Sequence, residues 1–117
     1  MKAILRAMWI DSADFSLENY QPEEESCFSL SVNLKIGPTN EEGTNYFYLC
    51  ICTPEWLCKH QWSTELVRHT LLVRKYDLVE ITNTITTYIN QCEGNNWMDI
   101  ALKLSRVFAW EYEDYQP

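Results

Sequence analysis

A chain of 117 residues with 46% apolar and 14% aromatic side chains, three Gly and four Pro, is long enough to bury a substantial core and too rich in large side chains to be disordered. Seventeen acidic against nine basic residues give a formal charge of -8, a field that repels phosphate backbones and argues against direct nucleic-acid binding. Its complement is a basic partner, although such a charge also serves plain solubility.

Residues 2–10 alternate as a first strand, with Ala3, Leu5, Ala7 and Trp9 on one face and Lys2, Ile4, Arg6, Met8 and Ile10 on the other. Residues 11–26 contain Pro22 and the triplet Glu23, Glu24 and Glu25, and are expected to form a connection with a short turn around residues 16–19. Phe28, Leu30, Val32, Leu34 and Ile36 then alternate with Cys27, Ser29, Ser31, Asn33 and Lys35, which predicts a strand with one buried and one wet face. A turn-rich link carrying Glu41 and Glu42 leads to a third strand, where Phe47, Leu49 and Ile51 oppose Tyr46, Tyr48, Cys50 and Cys52. The two strands read as an antiparallel hairpin.

Thr53 as a cap, Pro54 at the first helical position and Glu55 at the positive end of the dipole predict a short helix. Residues 66–76 read as a fourth strand. From Asp77 onward, Leu78, Ile81, Ile85, Tyr88, Ile89 and Cys92 recur at helical spacing, with Gly94 placed to stop the helix; the many Thr and Ile of residues 80–89 also suit a strand. In the last helix, capped by Asn95 or Asn96, the residues Trp97, Ile100, Ala101, Leu104, Val107 and Phe108 form one apolar stripe. The tail from Ala109 either adds an edge strand or lies as an ordered arm. The order β-β-β-α-β-α-α implies an α+β fold: a mainly antiparallel sheet of four to five strands with helices packed on one face. With no internal repeat or linker, residues 1–117 form a single expected domain.

Residues 50–60 bring together Cys50, Cys52, Cys58 and His60, all types that ligate zinc. Geometry opposes a site. Cys58 and His60, two apart on a helix, point roughly 200° away from each other, and no C-x-x-C or H-x-x-x-H pair occurs. His69 reads as a satisfied, partly buried imidazole of the fourth strand. Glycine-rich phosphate loops and G-x-S-x-G are absent, and the carboxylate pairs fall in solvated loops, where no burial separates two pKa values. No catalytic centre, metal or cofactor is therefore expected.

What remains is an acidic surface interleaved with aromatics. Tyr20 stands among Glu18, Glu23, Glu24 and Glu25, while Trp110, Tyr112 and Tyr115 stand among Glu111, Glu113 and Asp114. Such rings either anchor an interface or pack back onto the sheet.

The motifs "CTPEWL" at 52–57, "RHTLLVRKYD" at 68–77 and "CEGNNWMDIALKLSRVFAWEYEDY" at 92–115, with "MKAILRAMWIDS" and "IGPTNEEG", resemble the immunity protein 8 family of bacterial polymorphic toxin systems over nearly the whole chain. A departure falls at residues 104–108, where a glycine-containing helix exit would be expected.

The resemblance implies a small cytoplasmic protein, without catalysis or cofactor, that binds and neutralises the C-terminal domain of a cognate toxin, in some cases one of contact-dependent growth inhibition. Nuclease toxins with basic surfaces suit this charge. The expected contact residues are Glu23, Glu24, Glu25, Glu41, Glu42, Trp110, Glu111, Tyr112, Glu113 and Asp114. The early Lys2, Arg6 and Asp11 argue against a signal peptide, and no run approaches the roughly 20 apolar residues of a membrane span. A cytosolic adaptor or chaperone-like partner, and a small Cys/His metal-dependent protein, are the competing readings.

Overall fold

The computed structural model describes residues 1–113; the tail residues Asp114 and Tyr115 lie outside them. The hairpin is built from β2 (Ser29–Pro38) and β3 (Asn45–Cys52), paired antiparallel so that Leu30, Val32 and Leu34 stand opposite Ile51, Leu49 and Phe47. Alternation places these apolar pairs on one face. Gly43, at φ 112° in the connecting turn, occupies a conformation that side-chain-bearing residues rarely adopt.

β1 (Ala3–Trp9) pairs antiparallel with β2 through a register shift between Leu5 and Ala7. The extra residue, Arg6, reverses the side-chain phase, as a β-bulge does. Ala3 and Leu5 therefore share the core with Met8 and Ile10, not with Ala7 and Trp9 as unbroken alternation predicts. Arg6 turns its guanidinium to the hairpin link and donates to the carbonyl oxygens of Pro38 and Glu41.

Beyond β3, two short strands lie end to end on one edge. β5 (Ala109–Trp110) pairs antiparallel with Phe47 and Tyr48, while β4 (Thr70–Leu72) runs parallel to Cys50–Cys52. The sheet order is β1-β2-β3-β4, with β5 added beside β3. The fourth strand is thus three residues long instead of the eleven read at 66–76. β5 occupies the rest of that edge, and His69, at φ 56°, leaves extended geometry just before Thr70.

The helices follow their caps. α1 (Pro54–His60) starts where the Thr53 hydroxyl accepts from the Trp56 N–H at 3.3 Å. α2 (Leu78–Gln91) starts at Asp77, whose carboxylate accepts from the Glu80 N–H at 3.1 Å. The Thr-rich stretch is therefore helical. Ile81, Ile85 and Ile89, four apart, are all buried, and burial of that stripe outweighs the small propensity cost of β-branching. The helix ends at Gln91 with Cys92 as its cap, before Gly94. Gly94 is needed for closeness instead: a Cβ there would lie 2.5 Å from the Asp99 Cβ.

α3 (Trp97–Leu104) is capped by Asn96, which accepts from the Asp99 N–H at 2.9 Å, while the Asp99 carboxylate accepts from the Asn95 N–H at 3.1 Å. A turn then carries Phe108 back under Leu104. α2 and α3 place Ile81, Ile85, Ile89, Ile100 and Leu104 in the cluster formed by Val32, Leu34, Phe47 and Leu49. The Tyr88 hydroxyl donates to the Lys103 carbonyl at 2.6 Å and ties the two helices together. α1 buries no residue fully; its Trp56 and Leu57 border the opposite side of the sheet, beside Ser29, Cys50 and Cys52.

Candidate interaction surface

Ser29, Ser31, Asn33, Tyr46, Tyr48 and Cys50 project from the side of β2 and β3 opposite the core, as their alternation requires. Cys50 Sγ lies 3.5 Å from the Ser29 hydroxyl. Cys52 is 1% exposed, and burial, helped by its neighbour Cys50, pushes its thiol up to about 11; a thiol so far above neutral pH is a poor nucleophile and ligand. Cys58 is exposed on α1, and His60 stacks on Trp56 with ring centroids 4.8 Å apart. Among the described residues, three ligand-bearing side chains come within 4.8 Å of one another at Glu24, Cys27 and Glu55, a set containing none of Cys50, Cys52, Cys58 and His60. His69 differs from its sequence reading, because its Nε2 is buried without a hydrogen-bond partner among the described residues.

The acidic regions serve different purposes. Glu111 is built into the fold. Its N–H donates to the Tyr46 carbonyl at 3.1 Å, and its carboxylate accepts from the Tyr46 N–H at 2.9 Å and from the Asn45 amide at 3.4 Å. Asn45 in turn accepts from the Trp97 indole N–H. Glu113 pairs with Arg68 at 3.1 Å, joining the C-terminal arm to the segment before β4. Trp110 stacks on Phe47, with centroids 6.3 Å apart and planes at 14°, and Tyr112 meets Trp110 edge-on at 5.9 Å. Trp110 therefore packs back onto the sheet, whereas Tyr112 keeps 48% of its surface exposed. Asp114 lies outside the described residues.

Glu41 and Glu42 are exposed in the β2–β3 link, at the same end of the sheet as Glu111. Glu23, Glu24 and Glu25 sit at the other end, where the Glu25 carbonyl accepts from the Tyr76 N–H at 2.7 Å. The ten residues of β2 separate the two ends by about 30 Å. The expected contact residues among those described thus gather at two acidic poles.

Sequence reading missed a groove of about 400 Å³ at the second pole, lined by Tyr20, Pro22, Glu23, Glu24, Trp56 and Lys59 among others. Residues more than 30 apart in the chain build it, so no local pattern announces it. At its α1 wall the Lys59 ammonium donates to Glu55 at 3.2 Å, and the Ser26 hydroxyl donates to the other Glu55 oxygen at 3.1 Å. The bond from Lys59, then that from Ser26, holds the Glu55 carboxyl below its ordinary range. Burial raises the Tyr20 phenol.

Among the described residues no helix is long and apolar enough to cross a membrane. No curated protein and no solved structure matches the chain. A family model does: that of immunity protein 8, over residues 4–115. Covering nearly the whole chain and its sheet, helices and both acidic poles, this match means that the chain belongs to the immunity protein 8 family, and so to the immunity proteins of toxin systems.

Proposed function

We propose that this chain, acting as one unit over residues 1–117, binds and neutralises the C-terminal domain of a cognate bacterial toxin, a nuclease, by covering its basic surface. It acts in the cytoplasm of the producing cell, as part of a polymorphic toxin or contact-dependent growth inhibition system, without catalysis or cofactor. The observation that carries the reading is the formal charge of -8 in a chain of this family. A nuclease surface that attracts phosphate also attracts carboxylates, and fixed charges of opposite sign raise association rates.

Glu23, Glu24, Glu25, Glu41 and Glu42 steer the approach, together with Asp114. Glu111 and Glu113 hold the arm in place, so that Trp110 backs the exposed ring of Tyr112 at the contact.

Reversing Glu41 and Glu42 to Lys tests the steering cleanly. The fold uses Glu41 through its backbone carbonyl, which accepts from Arg6 at 3.0 Å, so the side chains can change while the link stays pinned. Association measured by stopped flow is expected to slow several-fold at low salt and to lose part of its salt dependence, because screening shortens the reach of charge from about 10 Å at 0.1 M to about 3 Å at 1 M. An association rate equal to that of the wild type at low salt would remove this end of the sheet from the steering surface.

A further inference from the structure

The groove between the β1–β2 connection and α1 has a composition that selects its occupant. Residues 11–28 contain six carboxylates (Asp11, Asp14, Glu18, Glu23, Glu24 and Glu25) and no Lys or Arg. The connection therefore contains no cation of its own, and Glu23 and Glu24 bring its negative charge to the groove. The one Lys of the lining, Lys59, is paired with Glu55 and also lies in the field of Glu24, so a single ammonium is shared among the groove's carboxylates. Two aromatic side chains, Tyr20 and Trp56, line the groove together with the carboxylates.

Neither ring is loose. Tyr20 lies edge-on to Tyr76 at 5.6 Å, and Trp56 is braced by His60 at 4.8 Å. Tyr76 backs this wall. It is 9% exposed, and its hydroxyl is buried with no hydrogen-bond partner among the described residues.

A groove that combines braced aromatics with two carboxylates suits a flat, delocalised cation. A guanidinium stacks on an indole face and is bonded at its edge by a carboxylate, a combination that an ammonium fills less completely. We infer that this groove is the anchor of the toxin interface and receives an arginine side chain of the toxin, stacked on Trp56 and paired with Glu23 and Glu24. The inference rests on the toxin-binding reading above and adds the point of contact and the chemistry of the residue bound there.

The two claims separate in one experiment. The probe is the C-terminal domain of the polypeptide encoded immediately upstream of this chain, and its dissociation is followed by surface plasmon resonance. Glu23→Gln with Glu24→Gln, which keeps shape and removes charge, and Trp56→Ala are each expected to speed dissociation by about 30-fold or more, the scale of an interface hot spot. Trp56→Phe, which keeps a ring, is expected to recover most of that loss. Glu80→Gln with Glu93→Gln removes as much charge away from the groove and is expected to leave dissociation within about threefold of the wild type.

Circular dichroism establishes that each variant is folded; should Trp56→Ala fail to fold, the carboxamide pair decides alone. Wild-type binding with unchanged dissociation in a folded groove variant overturns the anchor and leaves the toxin-binding reading standing. Equal loss in the groove and control pairs also overturns it, because bulk charge then explains the effect. Absence of wild-type binding removes both claims.

Discussion

Phe108→Ala is expected to destabilise the fold by about 3–5 kcal/mol, the range for an aromatic side chain removed from a filled core. Phe108 is 1% exposed and meets Phe47 and Tyr88 edge-on, with centroids 6.4 and 5.7 Å away. It therefore joins β3, α2 and the exit of α3. Phe47 carries Trp110 on its other contact, so a cavity at residue 108 also loosens the seat of the C-terminal arm. Against a total stability of about 5–15 kcal/mol for a domain of this size, that loss is large. Urea denaturation should show the midpoint falling, while near-ultraviolet circular dichroism should report loosened Trp packing. A loss below about 1 kcal/mol would mean that the aromatic cluster does not hold these elements together.

Thr53→Val is expected to cost about 2–4 kcal/mol without opening a cavity. Thr53 is fully buried, and its one hydroxyl oxygen accepts from two backbone N–H groups, that of Trp56 at 3.3 Å and that of Phe28 at 3.2 Å. The first bond caps α1; the second holds the chain entering β2. Valine preserves the shape and removes both bonds. Loss of the cap contributes about 1 kcal/mol, and leaving the Phe28 N–H buried without a partner contributes about 1–3 kcal/mol. Thr53→Ser retains the oxygen and should recover most of the loss. Equal stability of the Val variant and the wild type in urea would show that water or a shifted backbone serves both donors.

These two side chains also mark what was legible in the sequence. Thr53 was readable as a cap because Pro54 and Glu55 follow it, and β2 was readable because its period of two is unbroken from Ser29 to Ile36. The second role of Thr53, at Phe28, is a contact across 25 residues, which no local pattern encodes. The phase of β1 was hidden for a related reason. Leu5 and Met8 face the core on either side of a bulge at Arg6, and a bulge is fixed by pairing to the neighbouring strand, not by the alternation of the strand itself.

The fourth strand was overread because Leu66 and Val67 carry strand-forming character, yet Leu66 is 97% exposed and Val67 58% exposed. Neighbours decide its length. β5 takes the edge beside Phe47 and Tyr48 and leaves Cys50–Cys52 for β4.

At the surface, local acidity was visible, but its assignment was not. Glu111 and Glu113 look like solvated acids in "AWEYEDY", and both carboxylates are engaged within the chain, with the Tyr46 backbone and with Arg68. Conversely, Trp56 read as one residue of a short helix and stands beside Glu23 and Glu24 only because α1 folds against the β1–β2 connection.

Formation of a toxin complex by this chain is tested most directly by co-expression with the polypeptide encoded immediately upstream, followed by affinity capture on that polypeptide and size-exclusion chromatography at low salt. An equimolar complex that abolishes the toxicity of the captured domain is the result expected from a member of the immunity protein 8 family. A captured domain that stays active and elutes apart from this chain, with both proteins folded, would contradict it.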